Sequence, residues 1–194
     1  MSHRHKLSLH RGFTLIEWMV TLSLIGILAG ITAPHWSAAV RHIQLISTTN
    51  HFIAILHTTK SEGMKRNLHT FITPIDASND WSKGWKAFVD VDFSNDYSEA
   101  DLLIQEISDI PASISMQGNG VSAATPSYIM YDGSGFSKNK HGGFGAHTMT
   151  FRLHNAAHPS DIRHIKIAAT GRIRVCSPPT TAINDNSCNN SSND

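Results

Sequence analysis

Hydrophobic residues are most concentrated near the start of the chain. Residues 13–33 contain one carboxylate, Glu17, and no basic residue. About 20 apolar residues at 1.5 Å each span the roughly 30 Å hydrocarbon core of a bilayer. The pattern therefore predicts a transmembrane helix over residues 13–33.

Apolar residues continue at helical spacing after this run, over residues 34–66. They are Val40, Ile43, Ile46, Ile53 and Leu56. Such spacing is typical of an amphipathic helix. We expect one long helix whose second half packs this stripe under a sheet, and which ends near Gly63 and the region of Pro74.

Beyond residue 67 the pattern changes to short β-branched, aromatic and aliphatic runs separated by turn residues, which indicates strands. The candidate strands are 68–73, 85–92, 101–107, 113–116, 127–131, 148–154, 162–169 and 172–176. A segment of about 110 residues can bury one modest core, so we predict a single β-rich head over residues 67–176. The polar stretch 177–194 is expected to form a flexible tail. The fold class is therefore α+β.

Composition narrows the functional classes. The chain has 194 residues, of which 40% are hydrophobic and 16% charged. These values exclude a disordered polyelectrolyte and a large multi-domain enzyme. The formal net charge of +1 provides no general attraction for nucleic acid, so any such binding must be local.

The residues before the apolar run indicate its orientation. Residues 1–12 carry Arg4, Lys6 and Arg11 without an acid, which favours a cytoplasmic amino terminus and an external carboxyl end. A secretory signal peptide also has a basic region followed by an apolar one, but it is cut after the apolar region. Here Gly12 stands before that region, and this order favours a membrane anchor.

Residues 12–17 (GFTLIE) closely resemble the processing site of type IV pilins and of the pseudopilins of type II secretion. The resemblance implies that prepilin peptidase removes residues 1–12 as a leader by cutting after Gly12, and that the new terminus, Phe13, is N-methylated. The family's glutamate falls on Glu17 and its proline on Pro34, two positions that the resemblance assigns to filament assembly.

Physical chemistry gives Glu17 a role independently of the family. A charge inside a membrane helix costs about 2.5 to 3.5 kcal/mol on insertion scales, so it usually has a partner. The freed amine of Phe13 on a neighbouring subunit is one such partner, and the alternative is that Glu17 reaches the headgroups. Pro34 lacks a backbone donor and would kink or loosen the helix. Trp18 stands where the family usually has leucine, a departure that leaves the cleavage residues intact.

Two later segments resemble the GspH/FimT branch of pseudopilins and minor pilins. Residues 81–90 (WSKGWKAFVD) are similar to its Trp-x-x-Gly-Trp and Phe-x-Asp pattern, and residues 167–174 (IAATGRIR) to its closing strand with Gly-Arg-x-Arg. The resemblance implies a type IV pilin-like fold and a non-enzymatic subunit, anchored in the bacterial inner membrane by a single span. The head would lie in the periplasm, and the partners would be other pilins or pseudopilins.

The charged residues of the head are unevenly placed. Residues 76–109 contain nine acids and two lysines, a net charge of −7. Residues 150–176 contain four arginines and one lysine against one acid, a net charge of +4. We therefore expect a head with one acidic and one basic side.

The basic side offers a candidate site. If residues 172–176 form a strand, Arg172 and Arg174 project to one face about 6.6 Å apart. Two guanidinium groups at that distance could each bind a phosphate of a nucleic-acid backbone. Gly171 suits the tight turn before them, because glycine tolerates positive φ. Alternatively, both arginines are solvated or pair with the acidic side of a neighbouring subunit.

The resemblance adds to this interpretation. Some FimT-like minor pilins are associated with DNA capture in natural transformation, and the Gly-Arg-x-Arg arginines are the contacts there. By position these are Arg172 and Arg174, to which we add their sequence neighbours Lys166 and Arg163. Weak, non-specific and salt-sensitive binding of double-stranded DNA is expected. The alternative function is a type II secretion pseudopilin H whose head contacts exoproteins or other pseudopilins.

Other chemistry is not indicated by the sequence. His154, His158 and His164 fit no zinc-ligand spacing, so structural or surface roles are expected. The glycine-rich loop 133–145 lacks the Gly-Lys-Ser/Thr ending of a phosphate-binding loop and is interpreted as a hairpin connection. No nucleophile elbow occurs. We therefore expect no enzyme activity, cofactor or metal.

The two cysteines, Cys176 and Cys188, both follow the predicted membrane segment. In an oxidising periplasm a disulfide between them is expected. Closing a loop of about a dozen residues would stabilise the head by roughly 3 kcal/mol, less any strain. Two free thiols are the alternative.

Overall fold

The computed structural model describes residues 13–76 and 78–179, with the backbone alone at residues 31–35. One helix, α1 (Leu15–Arg66), occupies the first third of the described chain. Thr14 caps its start, because its carbonyl accepts the N–H groups of Glu17 and Trp18 at 3.1 and 3.3 Å. Asn67 ends the helix in the left-handed region, with φ of 55°.

The described residues divide into two compact units, one that ends at Val40 and one that begins at Arg41. In the first unit, the large apolar side chains from Phe13 to Leu28 are between 53 and 78% exposed. Among the residues that the structure describes, no helix combines the length and apolarity needed to cross a membrane.

In the second unit, the described residues contain the end of α1 and nine strands. The strands are β1 (Thr70–Pro74), β2 (Trp85–Val89), β3 (Leu102–Ile107), β4 (Ile114–Gly118), β5 (Ile129–Tyr131), β6 (Ser137–Lys138), β7 (His147–Leu153), β8 (Ile162–Ile167) and β9 (Ile173–Cys176). Short 3-10 helices occur at Trp81–Lys83, Gly120–Ala123 and Pro159–Asp161.

These strands form two antiparallel sheets. Sheet A has the order β3-β2-β1-β5-β6, and sheet B has the order β4-β7-β8-β9. The predicted α+β fold class is therefore confirmed. All eight predicted strands correspond to observed ones, and β6 was not predicted because its two residues, Ser137 and Lys138, carry no apolar signal.

The main core lies between α1 and both sheets. Phe52 of α1 is fully buried at its centre. Its ring meets those of Trp81, Trp85 and Phe151 edge to face, with centroid distances of 6.0, 5.0 and 5.3 Å. Ile165 and Ile167 of β8 belong to the same core. Their side chains therefore identify the face of sheet B that packs against the core.

The predicted hydrophobic stripe on α1 is wrong in part. Leu56 is fully buried and Ile53 packs partly against the core, but Ile43 is 65% exposed. The buried face instead follows Leu45, Phe52 and Leu56. Because successive residues turn by about 100° in a helix, Ile43 lies about 200° from Leu45 and faces away.

The Trp-x-x-Gly-Trp segment has a packing role. Trp81 and Trp85 are buried beside Phe52, and the indole N–H of Trp81 donates to the Ser122 carbonyl at 2.8 Å. Gly84 between them has φ of +123°, and a Cβ there would overlap the Ile107 carbonyl oxygen. Only glycine therefore fits at this crossing between β2 and β3.

Candidate nucleic-acid interface

The hairpin of β8 and β9 brings together three of the four predicted basic residues. Lys166 lies directly opposite Arg174, and Ile167 lies opposite Ile173. Since successive side chains of a strand point to opposite faces, the buried Ile167 fixes Lys166 and Arg174 on the outer face of sheet B. Arg172, two residues before Arg174, is exposed next to them.

Lys166, Arg172 and Arg174 line one open cavity of about 420 Å³. Its wall continues with Asn119, Ala146, His147, Thr148, Ile167 and Ala168. Asn119 closes the wall through its side-chain oxygen, which accepts the Thr148 N–H at 2.6 Å. The cavity therefore combines three cationic side chains with a wall of apolar and polar residues from β7, β8 and the segments next to them.

Among the described residues, neighbouring acids do not balance the charges in this cavity. In the part of the chain that the structure describes, no salt bridge involves Lys166, Arg172 or Arg174. Like charges directly opposite each other across two strands destabilise a sheet. An anion placed between Lys166 and Arg174 would remove this repulsion, and a phosphate has both the charge and the acceptors for it.

Arg163 does not join the other three residues. It is an odd number of positions from Lys166 on β8, so its side chain points to the opposite face of the sheet. It is half-buried, and its guanidinium donates to the Ser177 hydroxyl at 3.1 Å. The structure thus separates Arg163 from the cluster to which sequence proximity assigned it.

The acidic region lies mainly in the loop between β2 and β3. The carboxylates of Asp90, Asp92 and Asp101 lie within 4.8 Å of one another, so among the described residues they form a group that could hold a metal ion. Their oxygens accept hydrogen bonds from the loop itself, including Ser94 N–H to Asp90 at 3.1 Å and Ser98 N–H to Asp101 at 2.8 Å. These hydrogen bonds within the loop account for the proximity of the three carboxylates.

The environment separates the pKa values of these acids. Burial raises the pKa of Asp90 above its usual range, while hydrogen bonds from Ser94 and Ser98 lower that of Asp92. Two other acids of residues 76–109 pair with lysines: Asp76 with Lys83 at 2.8 Å, and Asp96 with Lys140 at 2.7 Å.

The candidate histidines and the glycine-rich loop have other surroundings. His154 and His158 are exposed, whereas His164 is buried with its Nδ1 3.0 Å from the Thr150 hydroxyl. In the loop, Lys138 lies over the Phe144 ring at 3.8 Å. This lysine is held by an internal contact, and the loop contains strand β6.

The predicted processing and assembly residues fall mostly in the first unit. Gly12 lies outside the described residues. Phe13 is 77% exposed and, with Glu17 and Trp18, lines a cavity of about 260 Å³. The helix is continuous through Pro34.

The predicted disulfide is only half within the described chain. Cys176 ends β9, opposite His164 of β8. Cys188 lies outside the described residues, so the bond between the two stays a prediction.

Comparison with known families decides the classification. The model for type II transport protein GspH matches residues 48–171, which is more than half of the chain. The chain belongs to the GspH family. The model for the prokaryotic N-terminal methylation motif matches residues 7–33. The chain is thus a member of the minor pilin and pseudopilin family of type IV pili and type II secretion, whose members are structural subunits and not enzymes.

Comparison with solved structures shows that the type IV minor pilin FimU shares the fold. The type IV minor pilin FimU of Pseudomonas aeruginosa, in two crystal forms, is 17% identical to this chain in each. The matches cover 71 and 69% of this chain and 90 and 97% of FimU, with TM-scores of 0.54 and 0.52. The minor pseudopilin EpsH of the Vibrio cholerae type 2 secretion system gives 10% identity, coverage of 70 and 98%, and a TM-score of 0.47. No curated protein matches the chain.

The methylation motif implies processing by prepilin peptidase and assembly with pilins or pseudopilins. Family members are in general anchored in the membrane by the amino-terminal helix.

The sequence did not predict Asn119 and Thr148 as residues that line the basic cavity, because they come from other strands and loops. The parity of strand positions would have excluded Arg163 beforehand.

Proposed function

We propose that the GspH-family chain is a minor filament subunit whose head binds the backbone of double-stranded DNA through Lys166, Arg172 and Arg174. The observation that carries the proposal is the convergence of these three cations on one cavity without an acidic partner among the described residues. Natural transformation is the process that such binding would serve in a type IV pilus.

The subunit reaches the filament from the inner membrane. Prepilin peptidase cuts after Gly12, and the new terminus Phe13 is methylated. Residues 13–33 anchor the chain in the membrane, and the head lies in the periplasm. The exposed apolar side chains of the first unit support this, because they need lipid or neighbouring helices as cover.

In the filament, Glu17 pairs with the amino group of Phe13 of an adjacent subunit. An exposed carboxylate in an otherwise apolar helix segment costs free energy in lipid unless it is neutralised. Pro34 loosens the helix where the subunit leaves the bilayer.

The DNA contact is weak and independent of sequence. Each neutralised phosphate contributes about −0.9 to the slope of log affinity against log salt concentration, so three contacts give a slope of about −2.7. Several subunits in one filament raise the affinity by avidity.

The test is DNA binding by the purified chain in detergent, measured by fluorescence anisotropy over a salt series. The double variant Arg172→Ala, Arg174→Ala is expected to reduce the slope to about −0.9 and the affinity at least about tenfold, for any DNA sequence. Arg163→Ala is the matched control, since its side chain lies on the other face. Equal binding by wild type and double variant would reject the site.

A second candidate function is a role in protein secretion as a type II pseudopilin. The match to the type II transport protein GspH model favours it. Deletion of the gene from its host would then abolish exoprotein secretion and leave DNA uptake intact. The opposite pattern would favour the transformation pilus.

A further inference from the structure

The turn between β8 and β9 has a tightly defined shape. The Gly171 N–H donates to the Ala168 carbonyl at 2.8 Å, and the Ala168 N–H donates to the Arg172 carbonyl at 2.9 Å. Gly171 has φ of +72°, which favours glycine. These bonds fix the conformation of the turn but not its place on the head.

Contacts from two other elements fix that place. The ammonium group of Lys60, on α1, donates to the Gly171 carbonyl at 3.0 Å. On the other side, the Ser137 N–H of β6 donates to the Ala169 carbonyl at 3.0 Å. The turn that presents Arg172 is therefore tied both to the helix and to sheet A.

The packing around Lys60 leaves little freedom for this contact. A Cβ on Gly171 would overlap the carbonyl oxygen of Gly135. A Cβ on Gly135 would lie 2.8 Å from both the Lys60 Cε atom and the Met64 sulfur atom. Two glycines thus allow the turn, the loop and the lysine stem to meet, and the ammonium group of the half-buried Lys60 donates to the Gly171 carbonyl.

We infer that Lys60 is a positioning residue for the basic cavity: its bond to Gly171 holds Arg172 and Arg174 toward the phosphate that they bind. The inference rests on the proposed DNA contact. Lys60 is not among the residues that line the cavity, and its ammonium group is directed at a protein carbonyl. Its loss is therefore expected to lower affinity without removing a phosphate contact.

Lys65 provides a matched control on the same helix. Its ammonium group lies 3.5 Å from the carboxylate of the half-buried Glu62, and the Lys65 side chain is 70% exposed. Lys65→Met removes the same charge from α1 as Lys60→Met does, but it does not touch the turn. A difference between the two variants therefore reports the contact with Gly171 and not the charge of the helix.

The experiment compares both variants of the full chain in detergent by two readouts. The first is hydrogen exchange at the Gly171 amide, and the second is affinity for duplex DNA over a salt series. Lys60→Met is expected to raise the exchange rate about tenfold and to lower affinity several-fold, because a hydrogen bond from a charged donor is lost. The salt slope should stay unchanged, and Lys65→Met should leave both readouts within about twofold of wild type.

Three results would overturn the inference. Unchanged Gly171 exchange in Lys60→Met would show that the lysine does not fix the turn, whether or not DNA binds. If the magnitude of the salt slope decreases by about 0.9 in Lys60→Met, then Lys60 itself contacts a phosphate. Faster exchange with unchanged affinity would show that the turn's position does not matter for binding.

Failure of the proposed function gives a different result, since wild type itself would then bind no DNA. Should Lys60→Met unfold the head, Lys60→Gln makes the same test. It keeps a polar side chain that is too short to reach the carbonyl.

Discussion

Replacing Phe52 by alanine tests which face of α1 carries the core. Phe52 is fully buried and its ring meets Trp81, Trp85 and Phe151 at 5.0 to 6.0 Å. Removing a buried phenylalanine side chain typically costs about 3 to 5 kcal/mol, because apolar transfer energy is lost and a cavity is left. A domain of ordinary stability, about 5 to 15 kcal/mol, would lose about a fifth of it or more.

The assay is urea unfolding of the full chain in detergent, followed by circular dichroism at a wavelength that reports the sheets. Phe52→Ala is expected to lower the unfolding midpoint strongly with little change in the urea dependence. Ile43→Ala is the control, because Ile43 is 65% exposed and its loss should change the free energy of unfolding by less than about 0.5 kcal/mol. A larger effect at Ile43 than at Phe52 would refute the packing described above.

Two further predictions concern the head. Burial lowers the pKa of His147 to about 4, below the value of about 6.5 expected when unfolded, so the unfolded state binds more protons between these pH values. The free energy of unfolding should therefore fall by about 1.4 kcal/mol per pH unit as pH drops from 6.5 toward 4. His147→Leu should remove this contribution of His147 to the pH dependence. An equally steep pH dependence in the variant would contradict the assignment of the effect to His147. A disulfide between Cys176 and Cys188 should make the unreduced chain about 2 Da lighter than the reduced chain. On the chain-entropy model it should also make the unreduced chain more stable by roughly 3 kcal/mol. Thiol alkylation of the native, unreduced protein at both cysteines would exclude the bond.

The strand pattern of the head followed from the sequence because β-branched and aromatic runs alternate with turn residues. The helix face did not follow, since isoleucines occur on several sides of α1. Ile43 and Ile53 have helical spacing, yet Phe52 fills the core. Spacing alone does not show which of two apolar faces the sheets will cover.

The candidate site shows the same division between local and tertiary information. The alternation of Arg172 and Arg174 is a local property of a strand, so the sequence was sufficient to predict it. Lys166 joins them through the register of β8 and β9, and Lys60 approaches from a helix more than 100 positions earlier. Long-range pairing of this kind depends on how the whole head packs.

The most direct test of the filament-subunit account is mass spectrometry of the protein purified from its native host. We predict a mature chain that begins at Phe13 with one added methyl group on its amino terminus. An intact chain that still begins at Met1, or a chain that begins well beyond residue 30, would contradict the account.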